Sequence, residues 1–127
     1  MRQKYHHRKV GEDTHLWNVN KLVEMTKSFP VANIHLSDIK ELDECFWYDD
    51  GKVPTCRSVA EHAKLIHETD LKYPILLCPN RKVIDGMHRV CKAYMQDMDT
   101  IKAVILPEMP EPDYKNVHLK DLPYDEE

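Results

Sequence analysis

A mixed α/β (α+β) fold in one compact domain is what the amino-acid sequence predicts, and three observations carry it. Segments with helical apolar spacing alternate with short segments of strand period. Their order reads helix, strand, loop, helix, two strands, helix, strand, which a small mixed sheet flanked by helices accommodates. The chain has 127 residues, 42% hydrophobic and 31% charged, and that size buries a sufficient core without disulfides or metals. The expected organisation is a basic N-terminal arm at 1–13, a domain at 14–106 and an acidic, Pro-rich tail at 107–127.

Each element has its own signal. Residues 14–28, "THLWNVNKLVEMTKS", place Leu16, Val19, Val23 and Thr26 at helical spacing, with Asp13 or Thr14 available as a cap. Pro30 stops that helix, and Ala32, Ile34 and Leu36 then alternate as a half-buried strand over 31–36. A turn and an acidic, aromatic loop follow, with Gly51 and Pro54 as breakers. Ser58 with Glu61 three residues later makes a capping box, and Val59, Ala63 and Ile66 fall on one face of the helix it opens. "YPILLC" reads as a continuous apolar strand, "PNRK" as a turn and "VID" as its hairpin partner. The last helix spans 87–97, with Met87, Val90, Cys91 and Tyr94 along one side. "TIKAVIL" is the final strand, before Pro107, Pro110 and Pro112 interrupt regular hydrogen bonding.

Composition excludes several function classes. No apolar run approaches the roughly 20 residues that span a bilayer. Basic residues at the N-terminus are not followed by an apolar segment, so a secretory signal is not expected and the cytoplasm is the expected compartment. Cys45, Cys56, Cys78 and Cys91 form no close-spaced pair, which argues for reduced, partly buried thiols rather than a zinc site or a disulfide framework. His6 and His7 read as part of a solvated basic terminus. Seven acids against two bases from Pro107 to Glu127 leave the tail at −5 and the remaining residues at +1. Phosphate neutralisation by Lys and Arg drives nonspecific nucleic-acid binding, so DNA is disfavoured.

The chemistry concentrates in "VIDGMHRVCKAY", residues 83–94. A helix start exposes unpaired N–H groups and the positive end of the peptide dipole, which together favour an anion such as phosphate. Gly86 permits close backbone approach, Arg89 can fork two hydrogen bonds onto a phosphate, and His88 can donate another. Asp85 then suits a Mg2+ ion bridging the same phosphates. The same residues also read as an ordinary helix start, with Asp as cap, Gly as turn residue and a salt-bridged Arg.

From Ser58 to Leu106 the chain resembles the ParB/sulfiredoxin superfamily: a helix, a strand opened by Pro-Ile, a strand ending in Gly, a short polar motif on a helix, then a final strand. Gly86, Met87, His88 and Arg89 stand where partition proteins carry Gly-Glu-Arg-Arg and bind CTP, and where sulfiredoxins carry Gly-Cys-His-Arg. Asp85 to Arg89 is closest to the Asp-Gly-X-His-Arg form of the superfamily's free-serine kinases. The resemblance implies a nucleotide (ATP, ADP or CTP) with Mg2+, phosphates on Gly86, Met87, His88 and Arg89, and the metal on Asp85. Met87 replaces the sulfiredoxin thiol, and a thioether cannot form a thiolate, so sulfinic-acid reduction is not expected. A helix-turn-helix segment is not read in this sequence, so centromere binding is not expected either.

Kinase-like members activate a substrate hydroxyl with a carboxylate after the first strand. "KELDE" supplies Glu41, Asp43 and Glu44 there, with Glu41 nearest the strand and a solvated acidic turn as the structural alternative. Thr55 and Arg57 precede the Ser58 helix and either join the phosphate cradle or order the loop. Phe46, Trp47 and Tyr48 line a pocket or a partner surface, or pack in the core. His62 faces either that pocket or its own helix neighbours. The expected function is nucleotide-phosphate binding, with phosphate transfer to a small molecule as its enzymatic form. The alternative is a nucleotide-dependent switch or adaptor whose acidic tail contacts a protein partner. Nuclease activity fits the charge balance least.

Overall fold

A computed structural model describes residues 4–48 and 51–122, without the side chain of Leu119. Its contacts group the chain into two units, one of residues 1–29 with 106–127 and one of residues 30–105. Helices and two small sheets make up the fold. The mixed α and β content matches the sequence reading, whereas the single sheet does not.

In the first unit, β1 (Tyr5–Val10) and β2 (Asp13–Asn18) pair antiparallel from Tyr5↔Asn18 to Val10↔Asp13. Two residues therefore close the hairpin, and Gly11 takes φ +64° at the first of them, as the mirror-image hairpin turns require. The first third of the predicted 14–28 helix is thus strand. Asn18 caps a shorter α1 (Val19–Met25), its side chain accepting the Lys21 N–H at 3.2 Å. Val19, Leu22 and Thr26 are the buried positions, and Leu16 and Trp17 are buried from β2 instead. His6, expected in a solvated terminus, lies tilted against Trp17 with ring centroids 5.9 Å apart.

The stretch after Leu106 contributes a strand. β7 (Tyr114–Lys115) pairs with β2, and Asp113 accepts the Asn18 N–H at 2.7 Å and binds Lys21 at 2.9 Å. Trp17 donates its indole N–H to the Pro110 carbonyl at 2.9 Å. The proline-rich stretch is held by specific bonds, with the strand beginning just past its last proline. The acidic residues beyond Leu122 lie outside the described residues.

The second unit carries the sheet order β3-β6-β4-β5. Its strands are β3 (Ala32–His35), β4 (Ile75–Leu77), β5 (Val83–Asp85) and β6 (Thr100–Ile105). β3 runs antiparallel to β6, β4 parallel to β6, and β5 folds back antiparallel on β4. Ile75, Leu76 and Leu77 are each at most 3% exposed, which explains why that run is continuously apolar rather than alternating. α2 (Cys56–Glu68) packs on α3 (Met87–Met95), which packs on β4 and β6. Met87, Val90 and Ala93 fill the core from α3 against Ile75, Leu77 and Ile101.

Two helix details depart from expectation. α2 starts at Cys56 with Thr55 as N-cap, accepting the Ser58 N–H at 3.1 Å, so Ser58 is a first-turn residue and not the cap. Val59 is half exposed and Ala63 exposed, while Ser58, His62 and Ile66, four apart, form the sheltered stripe. On α3, Tyr94 is 65% exposed and Ala93 takes its place inside. Lys92 reaches back to the carbonyls of His67 at 3.0 Å and Thr69 at 2.6 Å, satisfying acceptors at the α2 C-terminus.

Candidate functional site

The motif at the end of β5 is built around Gly86, the residue before α3. Its φ of +105° lies in the left-handed half of backbone space, where a side chain is strained. Space forbids one as well: a Cβ there would stand 2.6 Å from Ile75 Cγ2 and 2.8 Å from Arg89 Nη2. The Arg89 guanidinium therefore lies across the glycine at the opening of the helix. Nη2 donates to Asp85 Oδ2 at 3.1 Å, and both side chains are about five-sixths buried, at 16% and 15% exposure. Arg89 Nε is buried and has no hydrogen-bond partner among the described residues, a state that costs about 1–3 kcal/mol for an unmet buried donor.

His88, the next side chain of the motif, belongs to an aromatic cluster. Its Nε2 lies 2.9 Å from Nδ1 of His62 on α2. One ring nitrogen donates and the other accepts in that bond. Trp47 stacks on both imidazoles, with centroids 4.2 Å from His62 and 4.6 Å from His88. Phe46 meets Trp47 edge-on at 6.0 Å, and Tyr48 Oη pairs with Ser58 Oγ at 3.1 Å. Beside this cluster opens a cleft of about 540 Å³ lined by Trp47, Tyr48, Lys52, Ser58, His62 and neighbouring residues.

The remaining sequence candidates fall in three places. Met87 is 5% exposed with its side chain in the core, so only its backbone can serve an anion. Glu41, expected as a catalytic base, is 8% exposed and accepts the Val83 N–H at 2.6 Å; this carboxylate ties the 3-10 turn Lys40–Asp43 to β5 instead of facing a substrate. Glu44, just past that turn, is exposed, as is Asp43. Thr55 is occupied as the α2 cap, and Arg57 is exposed on the same first turn as the cleft-lining Ser58.

The four thiols are free: Cys45 and Cys56 are exposed, Cys78 is buried and Cys91 is half-buried. Burial pushes the Cys91 thiol up, which makes it a poor nucleophile. Among the described residues no three His, Cys, Asp or Glu side chains are grouped to hold a metal, and no helix is long and apolar enough to cross a membrane.

Sequence reading missed Lys52 and the Tyr48–Ser58 pair. The spacing of Ser58 and His62 on one helical stripe was the available signal, hidden by placing the cap at Ser58. Comparison with family models, curated proteins and solved structures finds no match to this chain.

Proposed function

We propose that residues 30–105 bind a nucleotide through its phosphates at the start of α3, as the resemblance of the Asp85–Arg89 motif to the ParB/sulfiredoxin superfamily implies. The observation that carries this reading is the Arg89 guanidinium, fixed across Gly86 by Asp85 with a buried Nε–H that no protein acceptor meets. The left-handed glycine leaves room for the Arg89 guanidinium at the helix start, and the dipole there favours an anion. The element order α2, β4, β5, α3, β6 is also the order that the resemblance implies. The adjoining cleft falls within the roughly 300–1,000 Å³ usual for small-molecule sites.

Asp85 sets the ionic requirement. A carboxylate beside a polyphosphate repels it, and a divalent cation between the two reverses the sign. Mg2+ is commonly bound by one or two carboxylates together with substrate phosphates. Asp85, whose Oδ2 accepts from Arg89, is the carboxylate that would share such an ion with the phosphates. Binding is the favoured activity, because the Glu41 carboxylate is consumed by Val83. Transfer of phosphate to a small molecule is the second reading, and it now rests on Glu44, exposed two residues before the cleft-lining Phe46.

The test is thermal unfolding with Mg2+ and ATP, ADP, CTP or pyrophosphate. Ligand at about 100 times its Kd stabilises the folded state by about 2.7 kcal/mol. Arg89→Gln is expected to abolish that shift while still folding. A wild-type protein indifferent to every phosphate ligand overturns the proposal. Conversion of ATP to ADP with a matching amount of phosphorylated hydroxyl compound, lost in Glu44→Gln, would establish transfer.

A further inference from the structure

We infer that the cleft beside Trp47 is a stacking site for the nucleobase of that nucleotide; the assignment rests on the phosphate reading for its orientation but on separate residues for its binding energy. The two imidazoles lie on one face of Trp47. Their centroids are 5.2 Å apart, far less than the combined stacking distances of 4.2 and 4.6 Å that opposite faces would demand. The other indole face is not used by these rings; Trp47 both packs against the core cluster and lines the cleft.

The indole is also braced by contacts within the chain. His62 and His88 back it, their hydrogen bond ties α2 to α3, and Phe46 abuts it edge-on. A flat aromatic surface already fixed in place spares the ordering cost of binding. Such a surface suits planar rings, whose stacking on an aromatic side chain contributes substantially and tolerates different bases.

The chemistry of the lining narrows the guest. Aromatic-walled pockets also hold organic cations, but Lys52 is in this wall, and no acidic side chain is among its described lining residues. A cation is therefore disfavoured and a neutral or anionic ring favoured. Tyr48 and Ser58 share one hydrogen bond between two hydroxyls, which leaves a second hydroxyl proton and oxygen lone pairs for the edge of a base. Continuity with the phosphate site comes from the histidines: His62 lines the cleft, and its partner His88 is in the first turn of α3, beside Arg89. A ligand with a ring at one end and phosphates at the other matches that arrangement.

The test compares full-length wild type, Trp47→Leu, Trp47→Phe and Arg89→Gln by calorimetric titration. The probes are ATP and CTP with Mg2+, Mg-pyrophosphate, adenosine and cytidine. Trp47→Leu should weaken nucleotide binding by ~5- to 150-fold, leave pyrophosphate affinity unchanged, and lose to Trp47→Phe, which retains a stacking face. Equal losses for nucleotide and pyrophosphate would mean that Trp47 only supports His88, and the inference is overturned. So it is if nucleotide binding ignores the Trp47 substitutions, or if neither nucleoside nor nucleotide binds. Nucleoside binding that depends on Trp47, without pyrophosphate binding, would leave the cleft assignment standing while the phosphate reading falls.

Discussion

Replacing Gly86 by alanine tests the geometry on which the phosphate site depends. Two costs follow from the structure. A side chain at φ +105° stores about 1–3 kcal/mol of backbone strain, and a Cβ placed 2.6 Å from Ile75 Cγ2 forces overpacking worth roughly another 1–3 kcal/mol. The alanine recovers perhaps half a kcal/mol through the unfolded chain, and a loss of about 2–5 kcal/mol remains. At about 2.1 cal/mol/K per residue, 1 kcal/mol is worth ~4 °C here, so Tm should fall by roughly 8–20 °C. Urea titration followed by circular dichroism gives the free energy. The double-mutant cycle supplies the decisive number. In an Ile75→Ala background the methyl that the new Cβ strikes is gone, so Gly86→Ala should cost about 1–2 kcal/mol less than in wild type. Ile75→Val keeps a Cγ2 methyl and should give no relief. Additive effects in Ile75→Ala would refute the claim that Ile75 enforces the glycine.

Three other outcomes follow from single contacts. Glu41→Ala strands the buried Val83 N–H and should cost about 1–3 kcal/mol in denaturant titrations, whereas Glu41→Gln keeps an acceptor and most of the stability; equal destabilisation by both would show that the negative charge matters, not the bond. Lys92→Met removes two carbonyl contacts at the end of α2 and should cost about 1–2 kcal/mol, with faster amide exchange in that last turn; unchanged protection there would contradict the capping role. With iodoacetamide, Cys45 and Cys56 should react first. Cys91 should lag, its rate still rising above pH 9 because burial raises its thiol beyond the ordinary 9.0 and only the thiolate attacks. Peptide mapping that finds Cys91 labelled earliest would overturn its assignment as half-buried.

Legibility tracked the range of the interaction responsible. The run from α2 to β6 could be read directly, because "PILLC", the Pro-Asn turn, "VID" and the spacing of Met87 and Val90 are local patterns. The first unit was misread for a local reason too. Leu16 and Val19 satisfy helical spacing by coincidence, while Gly11-Glu12 is a hairpin turn lacking the usual Asn-Gly or Asp-Gly pair. Val59 and Ala63 were placed inside because a capping box at Ser58 looked complete. The earlier cap at Thr55, and the packing of α2 on α3 through the Ser58, His62 and Ile66 stripe, turned them outward.

At the site, the sequence alone determined that a glycine, an imidazole and a guanidinium open a helix after a strand, since backbone preference and helix-start chemistry depend on near neighbours. It also set the order of the elements from α2 to β6. Only tertiary structure decided that Glu41 is spent on Val83 and that His62 meets His88 across 26 residues. The same holds for the insertion of β6 between β3 and β4, and for Trp47 lying flat on both imidazoles. These contacts join residues far apart in the chain, and their free energy arises from burial and hydrogen bonding once the sheet has formed. No local spacing encodes them.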